Sequence, residues 1–330
     1  MPNIVPLSAL EPNQEADIFA LLAEKEQKQT KKDKPYLQVL FRDFKREVRF
    51  PIWSDLPIYE EFHSLQPGMF CKLRATYRVN QFGSQLDIQR IRQAIEYDKK
   101  DGFDPLMLRP KSQFPVDEML GELQTIAEKQ LGKSKLRTLV LKVMKDYRPA
   151  ILSCTAARYH HHCFIGGLLE HTLSVTKIAV ALVNHYHALY PNRKKDISRE
   201  LAVAGAILHD IGKIREYEPE AGSMKHSVEG ELLGHAVLGR DIIRETAKEV
   251  ELEDHLRIRL EHIIITHQHY PDWGAAKPPM SLEAMLVHHA DSCDALLGCF
   301  WNVFEQDSGI DLLTSKKNVV GYPLLKPPKE

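Results

Sequence analysis

The spacing of hydrophobic and polar positions changes period along the chain. Residues 14–30 carry Ile18, Leu21 and Leu22 ahead of a polar run, which predicts a short amphipathic helix. Beyond Lys31-Lys32-Asp33-Lys34 the pattern turns to strands, expected at 36–41, 48–53, 69–79 and 84–91. Asn80-Gln81-Phe82-Gly83 reads as a hairpin turn, and 56–65 as a short helix before Pro67-Gly68. Short strands with one short helix predict a small barrel, and an OB-fold is the leading candidate. Asp98-Lys99-Lys100-Asp101-Gly102 followed by Pro105, Pro110 and Pro115 reads as a linker. From Val116 the pattern is helical, with helices expected near 117–131, 134–147, 167–190, 198–211, 228–247, 254–268 and 281–305. The expected fold class is therefore α+β. An OB-like β-barrel spans 1–100, a linker 101–115, an all-α domain 116–305 and an irregular tail 306–330.

Composition narrows the setting. The chain has 330 residues, enough for two domains, and is 43% hydrophobic and 27% charged, as in soluble globular proteins. No apolar run is long enough to span a membrane, and residues 1–10 lack the pattern of a secretory signal. Cys71, Cys154, Cys163, Cys293 and Cys299 are scattered without a CxxC pair, which predicts buried free thiols rather than a zinc ribbon or a disulfide scaffold. A cytoplasmic protein without a membrane partner is expected. The net charge of −1 hides a basic stretch: residues 31–100 hold 14 Lys/Arg against 9 Asp/Glu. That points to a polyanion partner for the barrel.

Most of the 16 histidines fall between His160 and His289. The central motif is Leu208-His209-Asp210-Ile211-Gly212-Lys213, where an apolar helix ends in an imidazole and a carboxylate. A carboxylate in apolar surroundings needs a partner, and a metal supplies one. Gly212 is expected to end the helix and allow a sharp turn. His171 follows Gly166-Gly167, His235 lies in a predicted helix, His267 closes the apolar run 263–266, and Asp291 precedes Asp294 by one turn. On separate helices these residues can enclose one or two metals inside a bundle. His187, His255 and His262 each stand alone on a charged helix and read as ordinary surface or core histidines.

These words resemble a known family. The order His171, His209-Asp210, Asp291 resembles the HD superfamily of metal-dependent phosphohydrolases. His161-His162, Phe164, Gly166-Gly167-Leu168-Leu169-Glu170-His171-Thr172 and 205–213 resemble the YhaM family of 3′→5′ exoribonucleases. So do Glu229-Gly230, Leu232-Leu233-Gly234-His235, Trp273-Gly274, Pro279-Met280 and Glu283-Ala284 ahead of His288 and Asp291. In the barrel the same holds for Lys34-Pro35-Tyr36-Leu37, Asp43, Trp53 and 83–88. The resemblance covers most of 15–300. It implies an OB-fold that binds single-stranded RNA or DNA and a helical HD domain that hydrolyses phosphodiester bonds from the 3′ end. It also implies a divalent cofactor, Mn2+ foremost, as one or two ions. His171, His209, Asp210 and Asp291 are then the HD ligands, and His235 and His267 the ligands of a second ion. The chain departs from the family at His267-Gln268-His269, where two adjacent histidines are usual; glutamine is a poorer transition-metal ligand than imidazole.

The residues suggest roles beyond the ligands. Lys213 can neutralise a phosphate oxygen, the plain alternative being a surface cation at a helix C-terminus. His161 and His162 can contact the scissile phosphate or protonate the leaving oxygen, the alternative being a polar loop. In the barrel, Tyr36, Phe41, Trp53, Tyr77 and Phe82 are stacking candidates, although most barrel aromatics are core. Lys32, Lys34, Arg74 and Arg78 are the phosphate contacts. Competing readings are an HD hydrolase of small nucleotides and a non-catalytic nucleic-acid-binding protein. Assembly into a homo-oligomer stays open.

Overall fold

The computed structural model describes residues 4–30, 33–80, 83–104, 108, 111–156, 164–220, 223–307, 311–316 and 318–328. The chain divides into two compact units: Met1–Lys111 with Pro219–Met224, and Ser112–Glu218 with Lys225–Glu330.

The first unit is a five-stranded antiparallel sheet of β1 (Glu15–Gln29), β2 (Pro35–Arg42), β3 (Glu47–Trp53), β4 (Phe70–Asn80) and β5 (Gly83–Gln93). The strand order is β3-β2-β1-β4-β5. The expected helix at 14–30 is a strand instead. Ala16, Ile18, Ala20 and Leu22 face the barrel interior, while Phe19 and Leu21 pack on the opposite face with Phe70, Phe103 and Leu108. Burial on both faces removes the alternation that marks a strand. The Ala, Leu, Glu, Lys and Gln of this segment also favour helix, and pairing with two neighbours overrides that preference. The first half of β1 pairs with β4 and the second half with β2, with a register shift between Leu22 and Glu24. One bent strand thus serves both halves of the sheet.

β3 and β5 come side by side at the open edges of the sheet. A 3-10 helix, Pro57–Ser64, lies between β3 and β4 in sequence and buries Ile58, Tyr59 and Phe62 in the interior cluster. This strand order, with a helical turn between the third and fourth strands, is that of a partly open OB barrel. Part of the expected linker is structured: Phe103 and Leu108 are buried in the cluster on the outer face of β1.

The second unit is a helical bundle of α1 (Val116–Gln130), α2 (Lys135–Asp146), α3 (Arg148–Ser153), α4 (Gly167–Leu189) and α5 (Arg199–Leu208). It continues with α6 (Lys213–Glu216), α7 (Val228–Glu249), α8 (Asp254–Thr266) and α9 (Leu282–Gln306). The pattern-based helices are all present. The short α3 and α6, and the hairpin β6 (Tyr217–Glu220) and β7 (Ser223–His226), are too brief to show a period. Serines 134, 198, 227 and 281 cap α2, α5, α7 and α9 by accepting backbone N–H bonds. Every residue from Leu201 to Leu208 is buried, so α5 runs through the core with apolar residues on all sides. It delivers its last residues to the middle of the bundle.

Between 311 and 328 the described residues form neither helix nor strand, with Leu313 and Leu325 joined by one isolated bridge. Cys71 and Cys154 are buried free thiols as expected, but Cys293 is exposed and Cys299 half-buried, because α9 turns that face outward. Cys163 lies outside the described residues. No helix among the described residues is long and apolar enough to cross a membrane.

Candidate metal centre

His209 and Asp210 follow directly on α5, so both side chains enter the core with almost no exposure. The chain then turns tightly through Ile211 and Gly212 into α6. Gly212 does not adopt the left-handed conformation expected of a helix-ending glycine. Its role is close approach: a Cβ there would lie 1.9 Å from the His235 carbonyl oxygen. This contact presses the His209-Asp210 corner against α7.

Two donor sets meet at Asp210. In the first, His171 Nε2 and His209 Nε2 lie 3.1 Å apart, each 3.5 Å from Asp210 Oδ2. Asp291 Oδ1 stands 3.2 Å from His171 Nε2 and 3.9 Å from His209 Nε2. In the second, Asp210 Oδ1 lies 3.5 Å from both His235 Nε2 and His267 Nε2, which are 3.4 Å apart. The two oxygens of one carboxylate therefore face different sets. Donors that share a first-row divalent ion at bonds of about 2.1 Å stand about 3.0–3.5 Å apart. Both sets fit such an ion by donor type, and by spacing for every separation given but that of Asp291 from His209, which is 3.9 Å.

Each of the four imidazoles is oriented through its other nitrogen. His171 Nδ1 donates to Asp294 at 2.7 Å and His235 Nδ1 to Glu216 at 3.1 Å. His209 Nδ1 donates to the Ala206 carbonyl at 2.8 Å and His267 Nδ1 to that of Ile264 at 2.6 Å. With Nδ1 donating in this way, Nε2 is the nitrogen each ring turns to the centre, the one a metal would take in its unprotonated form.

Asp294 and Glu216 hold two of the rings, a part that the sequence reading did not assign to them. Asp294 had a signal, one turn from Asp291 on the same face of α9. Glu216 had none, since it reaches His235 only through a break in α7. Gly234 there has φ 71°, which interrupts the helix and aims the His235 N–H at Glu216 Oε1, 2.8 Å away.

The electrostatics match the donor sets. Burial opposes the charge on Asp210, but Lys213 and His209 outweigh it and hold the carboxyl well below its usual range. Burial likewise opposes Asp291, and His171 and His209 hold it low. Burial disfavours a charged His171, yet Asp291 and Asp294 push its pKa up to about 9. Burial keeps His267 below its ordinary value and hence neutral. Four carboxylates thus converge with four imidazoles, and Lys213 is the cation set against them, 2.6 Å from Asp210 Oδ2. Its side chain is 12% exposed at the start of α6, so it is not a surface cation at a helix C-terminus.

His269 does not join either set. α8 has ended by then, and His269, at φ 66°, turns its ring onto Tyr270 and His288. His161 and His162 lie outside the described residues, as do Lys32 and Phe82 of the barrel.

The comparisons with known proteins agree with this geometry. The HD domain model matches residues 168–296, a span that includes all six candidate ligands. A second model, TraI_2, named for a helicase family, matches 118–217. The 3′-5′ exoribonuclease YhaM of Oceanobacillus iheyensis is 32% identical over 295 residues, 89% of this chain and 88% of that protein. The chain belongs to the YhaM family of 3′-5′ exoribonucleases. The YhaM protein of Bacillus licheniformis is 28% identical, with 90% of each chain covered. Among solved structures, a domain of replication protein A from Methanococcus maripaludis aligns with 16% identity and a TM-score of 0.22, covering 27% of this chain and 93% of that one.

Within this YhaM-family chain the expected strand-binding residues fall into two groups. Tyr36 on β2 and Trp53 on β3 are cross-strand partners with ring centroids 5.1 Å apart, and Trp53 is exposed. A cleft of about 480 Å³ opens beside Trp53, between β3 and β5, with Gln85, Asp87 and Gln89 on its far wall. Phe41 and Tyr77, by contrast, are core residues. Arg74 and Arg78 sit on β4, separated from β2 by β1, and are paired with Glu15 and Asp17 and with Asp87 respectively. Lys34 is paired with Asp55.

Proposed function

We propose that this chain is a cytoplasmic, metal-dependent 3′→5′ exonuclease of single-stranded RNA, acting also on single-stranded DNA. The observation that carries the reading is the sharing of Asp210 between two donor sets whose four imidazoles all offer Nε2. His171, His209, Asp210 and Asp291 would hold one divalent ion, with Mn2+ foremost, and Asp210, His235 and His267 a second. Such ions, when bound, lower the pKa of water and polarise the phosphoryl group.

The chain's own residues do the rest. Asp294 and Glu216 fix the rings so that no reorganisation is needed when substrate arrives. Lys213, held charged beside Asp210, supplies a positive group to a phosphoryl oxygen as charge develops there. His161 and His162 are proposed to contact the scissile phosphate. Tyr36 and Trp53 offer a stacking platform for bases, and Lys32, Lys34, Arg74, Arg78 and Phe82 complete the proposed strand contacts.

The test is digestion of a 5′-labelled homopolymer RNA with added Mn2+ and with a chelator. A ladder shortening from the 3′ end only with Mn2+ supports the reading. Cleavage of free nucleotides alone, or activity indifferent to chelation, sinks it.

A further inference from the structure

Gln268 follows the ligand His267, and its amide is poorly satisfied as it stands. Its Nε2 lies 3.2 Å from His235 Nε2, while its Oε1 is buried without a hydrogen-bond partner. His235 Nδ1 already donates to Glu216, so its Nε2 carries a lone pair. A half-turn about the last side-chain torsion exchanges the two ends of a primary amide at little cost in shape. In one orientation the amide N–H caps the imidazole lone pair and strands the oxygen. In the other, the amide oxygen and that lone pair face each other at about the present 3.2 Å. Two acceptors at that distance repel unless a cation lies between them. The spacing also matches the 3.4 and 3.5 Å separations among Asp210, His235 and His267.

We infer that Gln268 Oε1 is the fourth donor of the second set, and that rotation of its amide switches the set between an ion-binding and a self-capped state. The inference rests on the two-ion reading above. It makes the two sets unequal. The first carries two carboxylates, the second a shared carboxylate and a neutral amide that competes with the ion for His235. The second ion therefore binds more weakly. A carbonyl oxygen in place of an imidazole also turns that set toward Mn2+ or Mg2+ and away from Zn2+.

The experiment is equilibrium dialysis of the metal-free, full-length protein against Mn2+, with the free ion read by electron paramagnetic resonance. Two ions are expected per chain, the second weaker by at least about tenfold. Gln268→Ala should weaken the second ion by a further tenfold or more and leave the first unchanged. Gln268→Glu, which adds charge at the same reach and is nearly isosteric, should tighten the second ion. A second Mn2+ bound equally by wild type and both variants overturns the inference, and so does a single Mn2+ in all three. Failure of the wild type to bind any Mn2+ overturns the metal-dependent reading itself, so the first ion tells the two failures apart.

Discussion

The barrel and the helical bundle treat their charged groups in opposite ways. In the barrel, Arg49 pairs with Glu24, Arg74 with Glu15, Arg78 with Asp87 and Lys34 with Asp55, all at the exposed surface. The buried exceptions are satisfied: Asp43 accepts from the Ser8, Lys45 and Arg46 N–H groups, and Asp98 accepts two bonds from Arg92, one from Lys72 and one from the Ile95 N–H. In the bundle, Asp210, Asp291, Asp294 and Glu216 converge below the surface with four histidines and one lysine. Burying that much negative charge is costly unless a cation joins it. The barrel's charges are closed upon one another, as are the bundle's outer ones such as Glu261 with Arg244 and Arg257, and those at the bundle's centre are arranged for something else. This difference separates a solubilised binding surface from a reactive centre more clearly than the net charge of either region.

The largest test of the contrast is Asp210→Asn. It should lower hydrolysis by more than about a hundredfold, measured as released nucleotide, because both donor sets lose an anion. Binding of the same RNA, measured by fluorescence anisotropy, should persist, since the barrel is untouched. Activity that survived would break the assignment of the bundle's charges to chemistry.

Next in size is Glu216→Gln. The ring of His235 loses its anionic anchor, and Mn2+ affinity of the second set should fall about 10- to 100-fold, read by equilibrium dialysis. Unchanged affinity would make Glu216 a structural contact only.

In the barrel the expected effect is on stability. Asp98→Ala deprives Arg92 of its carboxylate bonds, leaves Lys72 paired with Asp101 alone, and should cost about 2 kcal/mol in urea unfolding, with the figure held down by the partial exposure of Arg92. The Arg92 hydrogen bonds, aided by the Ile95 N–H and Lys72, outweigh burial and hold the Asp98 carboxyl well below its ordinary value. A depressed folded pKa contributes stability above the unfolded value of about 4, and the contribution fades as pH falls below it. The wild type should lose stability below that pH more steeply than the variant. Parallel pH profiles would contradict this.

The smallest effect belongs to Arg78→Ala. Its exposed pairing with Asp87 should contribute less than about 0.5 kcal/mol to stability, checked in the same unfolding assay. If Arg78 exchanges Asp87 for a phosphate, the salt slope of RNA binding should drop by about one. An unchanged slope would remove it from the strand-binding set.

Much of the bundle was legible because its helices are long and bury one face each. The period of 3.6 residues located every long helix to within a few positions. The candidate ligands His171, His209, Asp210, His235, His267 and Asp291 stood out through the words around them, and the bundle brings all six together. Residues 14–30 misled because β1 is buried on both faces and built from helix-favouring residues, so neither period nor propensity marked it as a strand. Gly212 was read as a helix end, whereas its service is to the backbone of α7, which no local pattern can show.

What the sequence by itself determined was the order of barrel and bundle and which histidines and aspartates stand as candidate ligands, since both follow from local periods and short words. What the tertiary structure alone decided was how those side chains point. The tautomer of His171 depends on Asp294, 123 residues away, and that of His235 on Glu216 across a broken helix. The two oxygens of Asp210 face different donor sets only because α4, α8 and α9 pack on α5 while α7 packs on α6 and α8. Side-chain direction is set by distant partners, and a linear pattern carries no information about them.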